Sequence, residues 1–317
     1  LQPREQNSLN AVTSSQPRSG ALLKVEFSEN LFGYSDLFPW PEFGDSELDQ
    51  QIEFLKRGKQ TPLIERSLQM AQIDSQLRAA GQSAFAGANL KNHFLVRDLA
   101  KIDFADLRAK GFASLKIKLN PEFEKQVPDL IRIFETCEMK VRLDFNSSLN
   151  WLQFETFAKS IPFDHRQRIE FIEDPMPWNA VLWKKASQFF PLAVDFETSK
   201  VPWESLAEVP MRYLILKPAR LDPKVVIDRA LEFDCKIVVT NSFDHSIGVA
   251  HAAKVAWDLQ KKFPQMISDA GLISNVHDYD SYSQQIITDG AFFKGVPGVG
   301  IGFDKLLESA PWLKITS

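Results

Sequence analysis

The sequence predicts an α/β protein, a (β/α)8-type barrel with an N-terminal α+β capping domain completed by the C-terminal tail. Short apolar runs recur, each followed by a helix-compatible segment: HFLV (93–96), SLKIKL (114–119), KVRLDF (140–145), RIEFIE (168–173), PLAVDF (191–196), RYLILK (212–217) and KIVVT (236–240). A weaker eighth run is QMISDAGL (265–272). Strands separated by single helices imply parallel βαβ units, and eight repeats of roughly 25 residues fit a barrel. No glycine-rich phosphate loop follows the first run, which argues against an open doubly wound sheet.

The elements before the barrel read as a small unit of their own. Residues 20–38 form two strands around the turn-prone SEN, and PWPEFGD (39–45) is a Pro/Gly-rich loop. Helical patterns cover 45–57 and 62–80, where Leu63, Ile64, Leu68, Ile73 and Leu77 form an apolar stripe. The capping domain is therefore expected at 1–85 and the barrel at 86–289, with the tail 290–317 packing back on the first unit. The glycines of GVPGVGIG (295–302) read as turns, because no Lys-Ser/Thr motif follows them.

A chain of 317 residues buries a large core, and its 44% hydrophobic and 25% charged residues are those of a soluble globular protein. A net charge of −4 gives no global basic field, so neither nucleic acid nor a membrane surface is expected as a partner. No protein partner is implied. Cys137 and Cys235 have no metal-ligand spacing and read as buried thiols of a reducing compartment. The N-terminal LQPREQNSLN has no signal-like apolar run, and no window reaches the roughly 18 apolar residues of a membrane span. A cytoplasmic location is expected.

Barrel chemistry sits at the C-terminal ends of the strands, and ionisable residues recur there. They are Lys118, Asp144, Glu173, Asp195 and Lys217, at intervals of 22 to 29 residues, each about one βα unit. Three converging carboxylates in a partly buried pocket need a cation, and all-oxygen donors suit a hard ion such as Mg2+. Lys116 and Lys118 share one strand face and point toward this site. Positive charge nearby lowers a lysine's pKa, so that its neutral amine can take a proton. One acidic residue at a strand end is usually a cap or a solvated loop residue, whereas five strands in register are hard to dismiss.

These motifs, KIK (116–118), LDFN (143–146), IEDP (172–175), VDFE (194–197) and LKP (216–218), resemble the enolase superfamily in its muconate-lactonising subgroup. The likeness covers nearly the whole chain, including RSGALLKVEF (18–27), GYSDLFPWPEFG (33–44), VRLDFNSSLNWLQFETFAKSI (141–161) and TNSFDHSIG (240–248). Within the subgroup it is nearest to the menaquinone-pathway dehydratases. The resemblance implies Mg2+, or Mn2+, on Asp144, Glu173 and Asp195, and a small-molecule carboxylate as substrate. It implies Lys118 as the base that removes the α-proton and then returns it to the leaving hydroxyl. Lys116 then assists beside the substrate carboxylate, and Lys217 faces the intermediate as a fixed cation. Asn146 and Asp174 orient the ligands, while Arg142 either tunes the site or forms a structural ion pair. Substrate contacts are expected at Thr240, Asn241 and Ser242, whose backbone N–H groups suit an anion, and at Gly271, which lets backbone approach a ligand. Arg18 reads as an exposed arginine, in a loop able to close over the pocket.

The fifth-strand motif is Asp-Phe-Glu where the family has Asp-Glu, so Glu197 competes with Asp195 as third ligand. The same core serves racemases and epimerases. Asp-Ala-Gly (269–271) argues against dipeptide epimerases, which tend to carry Asp-x-Asp there. An N-succinylamino acid racemase is the alternative enzyme, and a catalytically silent barrel retained as a binding scaffold is the alternative of another class.

Overall fold

The computed structural model describes residues 18–273 and 280–315. It opens with the expected hairpin of β1 (Ala21–Ser28) and β2 (Leu31–Leu37), antiparallel across a turn that places Asn30 at φ +63°. Asparagine tolerates this left-handed conformation better than most residues. α1 (Leu48–Lys56) and α2 (Pro62–Ala79) follow. α2 starts where Thr61 accepts a bond from the Ile64 N–H and Pro62 supplies a preset φ. Gly33 on β2 lets the helix backbone lie directly on the hairpin, since a Cβ there would stand 1.9 Å from the Ala71 carbonyl oxygen.

After β3 (Leu90–Lys91), strands and helices alternate: β4 (Phe94–Val96), α3 (Phe104–Ala109), β5 (Ser114–Lys118), α4 (Val127–Thr136), β6 (Lys140–Asp144), α5 (Trp151–Ser160) and the short α6 (Phe163–Arg166). The series continues with β7 (Ile169–Glu173), α7 (Ala180–Ala186), β8 (Leu192–Val194), β9 (Tyr213–Leu216), α8 (Pro223–Glu232), β10 (Lys236–Val239) and α9 (Ser246–Lys262). β4 to β10 form one seven-stranded sheet in sequence order, all neighbours parallel.

Two expectations need correction. The eighth run forms no regular strand, yet it closes the barrel. Gly271 N donates to Val239 O (2.9 Å) on one side, and His93 N donates to Ala270 O (2.8 Å) on the other. Ser268, Asp269 and Gly271 are poor strand formers, so single bridges replace a ladder. The segment after β8 is not an α-helix but two 3-10 turns, Phe196–Lys200 and Trp203–Ser205. Pro202 interrupts it, and proline cannot sit inside a helix without losing a bond.

The strands pack their outer faces, with Leu115, Ile117, Leu143, Ile172 and Val194, against the helices in the main core. Inside the barrel lies a smaller apolar cluster of Phe171, Ala193, Ile215 and Val238. Beyond it, β11 (Ile287–Asp289) and β12 (Phe292–Gly295) form a three-stranded sheet with β3, and α10 (Asp304–Ser309) ends the regular structure. The tail meets α2 through Asp74, which accepts bonds from Tyr34 N (2.8 Å) and Ile301 N (2.8 Å) and pairs with Arg78 (2.7 Å).

Candidate active site

Strand alternation sets the site. Because Leu115, Ile117, Leu143 and Ile172 face the outer core, Lys116, Lys118, Asp144 and Glu173 turn inward. The ladder aligns them, with Lys118 opposite Asp144, Asp144 opposite Glu173, and Lys116 opposite Arg142 one layer deeper. Ala193 lies opposite Glu173, and Asp195 and Lys217 follow just beyond the ends of β8 and β9. The residues expected at successive strand ends therefore meet at one rim.

Their pairing was not legible beforehand. Lys116 Nζ lies 2.7 Å from both Glu173 carboxylate oxygens and 3.0 Å from Asp144 Oδ2. Lys217 pairs with Asp195. Lys118 makes no ion pair among the described residues, and its Nζ stands 5.6 Å from the centre of the Phe243 ring. Burial lowers the Lys118 pKa, Asp144 opposes that, and Lys116 and Lys217 add to it. Burial acts the same way on Lys116 and Lys217, but there the facing carboxylates outweigh it and raise both. Glu173 is pushed up to about 7 by burial and then by Asp144, against the pull of Lys116. Asp144 is held below its ordinary range, since Lys116 and Lys118 outweigh its burial.

Among the described residues no three acidic, His or Cys side chains are gathered as a ready metal cluster, because the lysines draw the carboxylate oxygens. The donor set still fits a hard divalent cation. It is all oxygen and carboxylate, and Asp144 and Asp195 both raise the Glu173 pKa, a mutual repulsion that a cation relieves.

Glu197 does not share the rim with Asp195. β8 has ended by then, so strand alternation no longer applies, and the 3-10 turn carries Glu197 elsewhere. Its carboxylate accepts from Ser147 Oγ (3.0 Å) and Trp178 N (2.8 Å) and pairs with Lys200 (3.0 Å). Asp174 accepts from Asp195 N (3.1 Å) and Phe196 N (2.7 Å), clamping the end of β8. Asn146 acts through its backbone, donating N–H to Asp144 Oδ1 (3.0 Å). Asn146, Ser147 and Asp174 all have positive φ, a concentration of sparsely populated backbone at this rim. Arg142 forms the structural pair, bonding Glu170 Oε2 (2.8 Å), Asp269 O (2.6 Å) and His93 Nδ1 (2.8 Å). Arginine can only donate, so that nitrogen of His93 accepts and the ring is neutral. Burial and then Arg142 depress the His93 pKa well below its ordinary value.

Two of the three backbone N–H groups expected to cradle an anion at residues 240–242 are taken by internal bonds. Thr240 N donates to Leu216 O (2.9 Å) and Ser242 N to Asp244 Oδ2 (2.9 Å). The Asn241 side chain accepts from Phe243 N (2.9 Å), and the Thr240 hydroxyl is buried without a hydrogen-bond partner among the described residues. Gly271 is small for an internal reason, since a Cβ there would come within 2.5 Å of the His93 ring. Arg18 is not the exposed residue expected. It stacks on Trp40, 3.5 Å from the ring centre, and donates to the carbonyls of Phe38, Pro39, Ser242 and Phe243. Sequence reading also missed an aromatic chain beside the rim, running from Phe243 to Trp40 (6.4 Å), Phe43 (5.2 Å) and Phe196 (5.1 Å). The only signal was the aromatic PWPEFG loop.

A capped barrel with carboxylates on three successive strands, flanked by lysines, defines an enzyme of the enolase superfamily. Solved relatives share the fold: muconate lactonizing enzyme from Pseudomonas putida (TM-score 0.70, 15% identity, 92% of this chain and 94% of that one) and a dipeptide epimerase from Enterococcus faecalis, complexed with Mg and L-Leu-L-Tyr (TM-score 0.70, 15% identity, 89% and 91%). Residues 1–77 match the family model for the O-succinylbenzoate synthase N-terminal domain. The o-succinylbenzoate synthase of Bdellovibrio bacteriovorus is 36% identical over 314 residues, 97% of this chain and 94% of that protein. The chain belongs to the o-succinylbenzoate synthase family.

Proposed function

We propose that the protein dehydrates 2-succinyl-6-hydroxy-2,4-cyclohexadiene-1-carboxylate to o-succinylbenzoate, a step of menaquinone biosynthesis, in the cytoplasm. One observation carries the reading. A half-buried lysine with no ion pair among the described residues, Lys118, stands at a rim of three carboxylates that ends in a second, paired lysine, Lys217. Asp144, Glu173 and Asp195 would hold Mg2+, which supplies positive charge where the substrate carboxylate becomes more negative.

Lys118 Nζ takes the proton α to that carboxylate, and the C–H electron pair moves toward the carboxylate oxygens. Its lowered pKa makes the neutral amine accessible. Lys217 stays cationic and opposes the developing negative charge, and Lys116, held charged by its carboxylates, adds to that field. Lys118, now protonated, donates to the departing hydroxyl on the same face, so water leaves syn and the ring becomes aromatic.

The test follows loss of substrate absorbance with and without Mg2+, for the native protein and for Lys118→Ala. Metal-dependent turnover is expected, reduced about 10^2–10^4-fold or more in the variant. Absence of turnover in a folded, Mg2+-binding protein would sink the dehydratase reading. It would favour racemisation of an N-succinylamino acid, with Lys118 and Lys217 as opposed bases.

A further inference from the structure

Asp36 on β2 and Asp244, just before α9, meet at the junction of the hairpin with the barrel. Both are buried, 3% and 8% exposed. Each has one oxygen satisfied by backbone, Asp36 Oδ2 by His245 N (3.2 Å) and Asp244 Oδ2 by Ser242 N (2.9 Å). The other oxygen of each, Oδ1, is buried without a partner. Both side chains crowd one point: a Cβ on Gly248 would lie 2.6 Å from Asp36 Oδ2 and 2.7 Å from the Asp244 Cβ. Two ionised carboxylates crowded at one glycine, each with a bare oxygen, would repel and be costly to bury. One proton between them satisfies both.

We propose that Asp36 and Asp244 share a single proton across this junction, and that the bridge positions the turn at residues 242–243 beside Lys118. Arg18 attracts both carboxylates electrostatically, but burial and Asp244 outweigh it at Asp36. Arg18, from the segment before β1, spends Nη1 and Nη2 on four backbone carbonyls. Arg220, from the loop after β9, is paired with Asp45, and Glu42 adds negative charge nearby. His245 at the start of α9 accepts from Ile247 N through Nδ1, so its Nε2 carries the hydrogen toward Asp280 (3.0 Å). From α2 the uncharged Ser67 bonds the Asp36 carbonyl (2.7 Å). Burial and then Asp244 hold the Asp36 carboxyl well above its usual range.

The bridge is placed to matter. Asp244 fixes the Ser242 N–H, and the next residue, Phe243, takes a left-handed φ of +53° and presents its ring to Lys118. Asp36 and Asp244 are positioning residues, and their effect on Lys118 rests on the proposed function; the shared proton does not.

The experiment uses the full chain with saturating Mg2+, which keeps Glu173 ionised. Melting temperature and kcat/KM are followed from about pH 5 to 9 for the native protein, Asp36→Asn, Asp244→Asn and Asp36→Ala. The native protein should lose stability as pH rises and the shared proton leaves. Each Asn variant carries a permanent N–H in that place and should flatten the fall by about 3 °C or more. Its alkaline loss of kcat/KM should flatten with it, and Asp36→Ala should melt lower throughout. An infrared difference spectrum at pH 7, native minus Asp36→Asn, should show the C=O stretch of a protonated carboxyl. Parallel melting profiles without that band would overturn the proposal. Should one Asn variant fail to fold, the other decides between the same two results. A protein that turns over no substrate yet shows the melting and infrared signatures would refute the dehydratase reading alone.

Discussion

Lys118 and Glu173 carry the pH dependence expected of this site. Lys118 accepts a proton only as the neutral amine, and burial, with Lys116 and Lys217, lowers its pKa below the ordinary 10.5. The rate of α-proton removal, read as kcat/KM at saturating metal, should therefore rise with pH and level off below 10.5. A pH-independent rate would contradict the base assignment. Glu173 is pushed up to about 7 from an ordinary 4.5, and as the proposed Mg2+ ligand it would bind only when ionised. Mg2+ affinity by calorimetry should strengthen as pH rises through 7. The sign for stability is the reverse: a carboxyl raised in the folded state stabilises fully below 4.5 and loses that contribution as pH passes 7. The metal-free protein should thus melt lower at pH 8 than at pH 5, and added Mg2+ should restore more of the melting temperature at pH 8.

At the scale of the element, the end of β8 decides the geometry of the third carboxylate. Asp195 leaves the strand at ψ −89°, and the 3-10 turn that follows has no partner strand for its first amides. Asp174 supplies the missing acceptors, bonding the N–H groups of residues 195 and 196. Asp174→Ala should weaken Mg2+ binding about 10–100-fold in a protein that still folds. Calorimetric titration measures it, and an unchanged affinity would mean that packing alone holds the turn. The same element shows where pattern reading stops. Alternation places residues 193 and 195 on one face, but it lapses once the ladder ends, and so it misplaced Glu197.

At the scale of the molecule, Asp74 joins three parts of the chain. With no exposure, it binds the hairpin at Tyr34, its own helix at Arg78 and the tail at Ile301. Arg78 extends the link to Asp304 (2.8 Å) and Gly302 O (2.8 Å). Removing one member of a buried charged network leaves the others unsatisfied, a loss of about 3–5 kcal/mol. Asp74→Ala should lower the melting temperature by about 10 °C. A change within about 2 °C would assign the attachment of the tail to apolar packing.

The barrel strands and the rim were legible in the sequence because both depend on local periodicity. A parallel strand buried on both faces reads as an apolar run, and the residue at its end is found by counting. From that, the sequence alone determined seven strands, their order, and the placing of Lys118, Asp144, Glu173, Asp195 and Lys217 at one end. Tertiary structure alone decided which charges pair, why Gly271 is small, that Arg18 stacks on Trp40, and that Asp36 and Asp244 both crowd Gly248. These contacts join residues far apart in the chain, as Arg18 and Phe243 are at 225 positions. Periodicity says which way a side chain turns, whereas only the closed barrel and its docked hairpin determine what it meets.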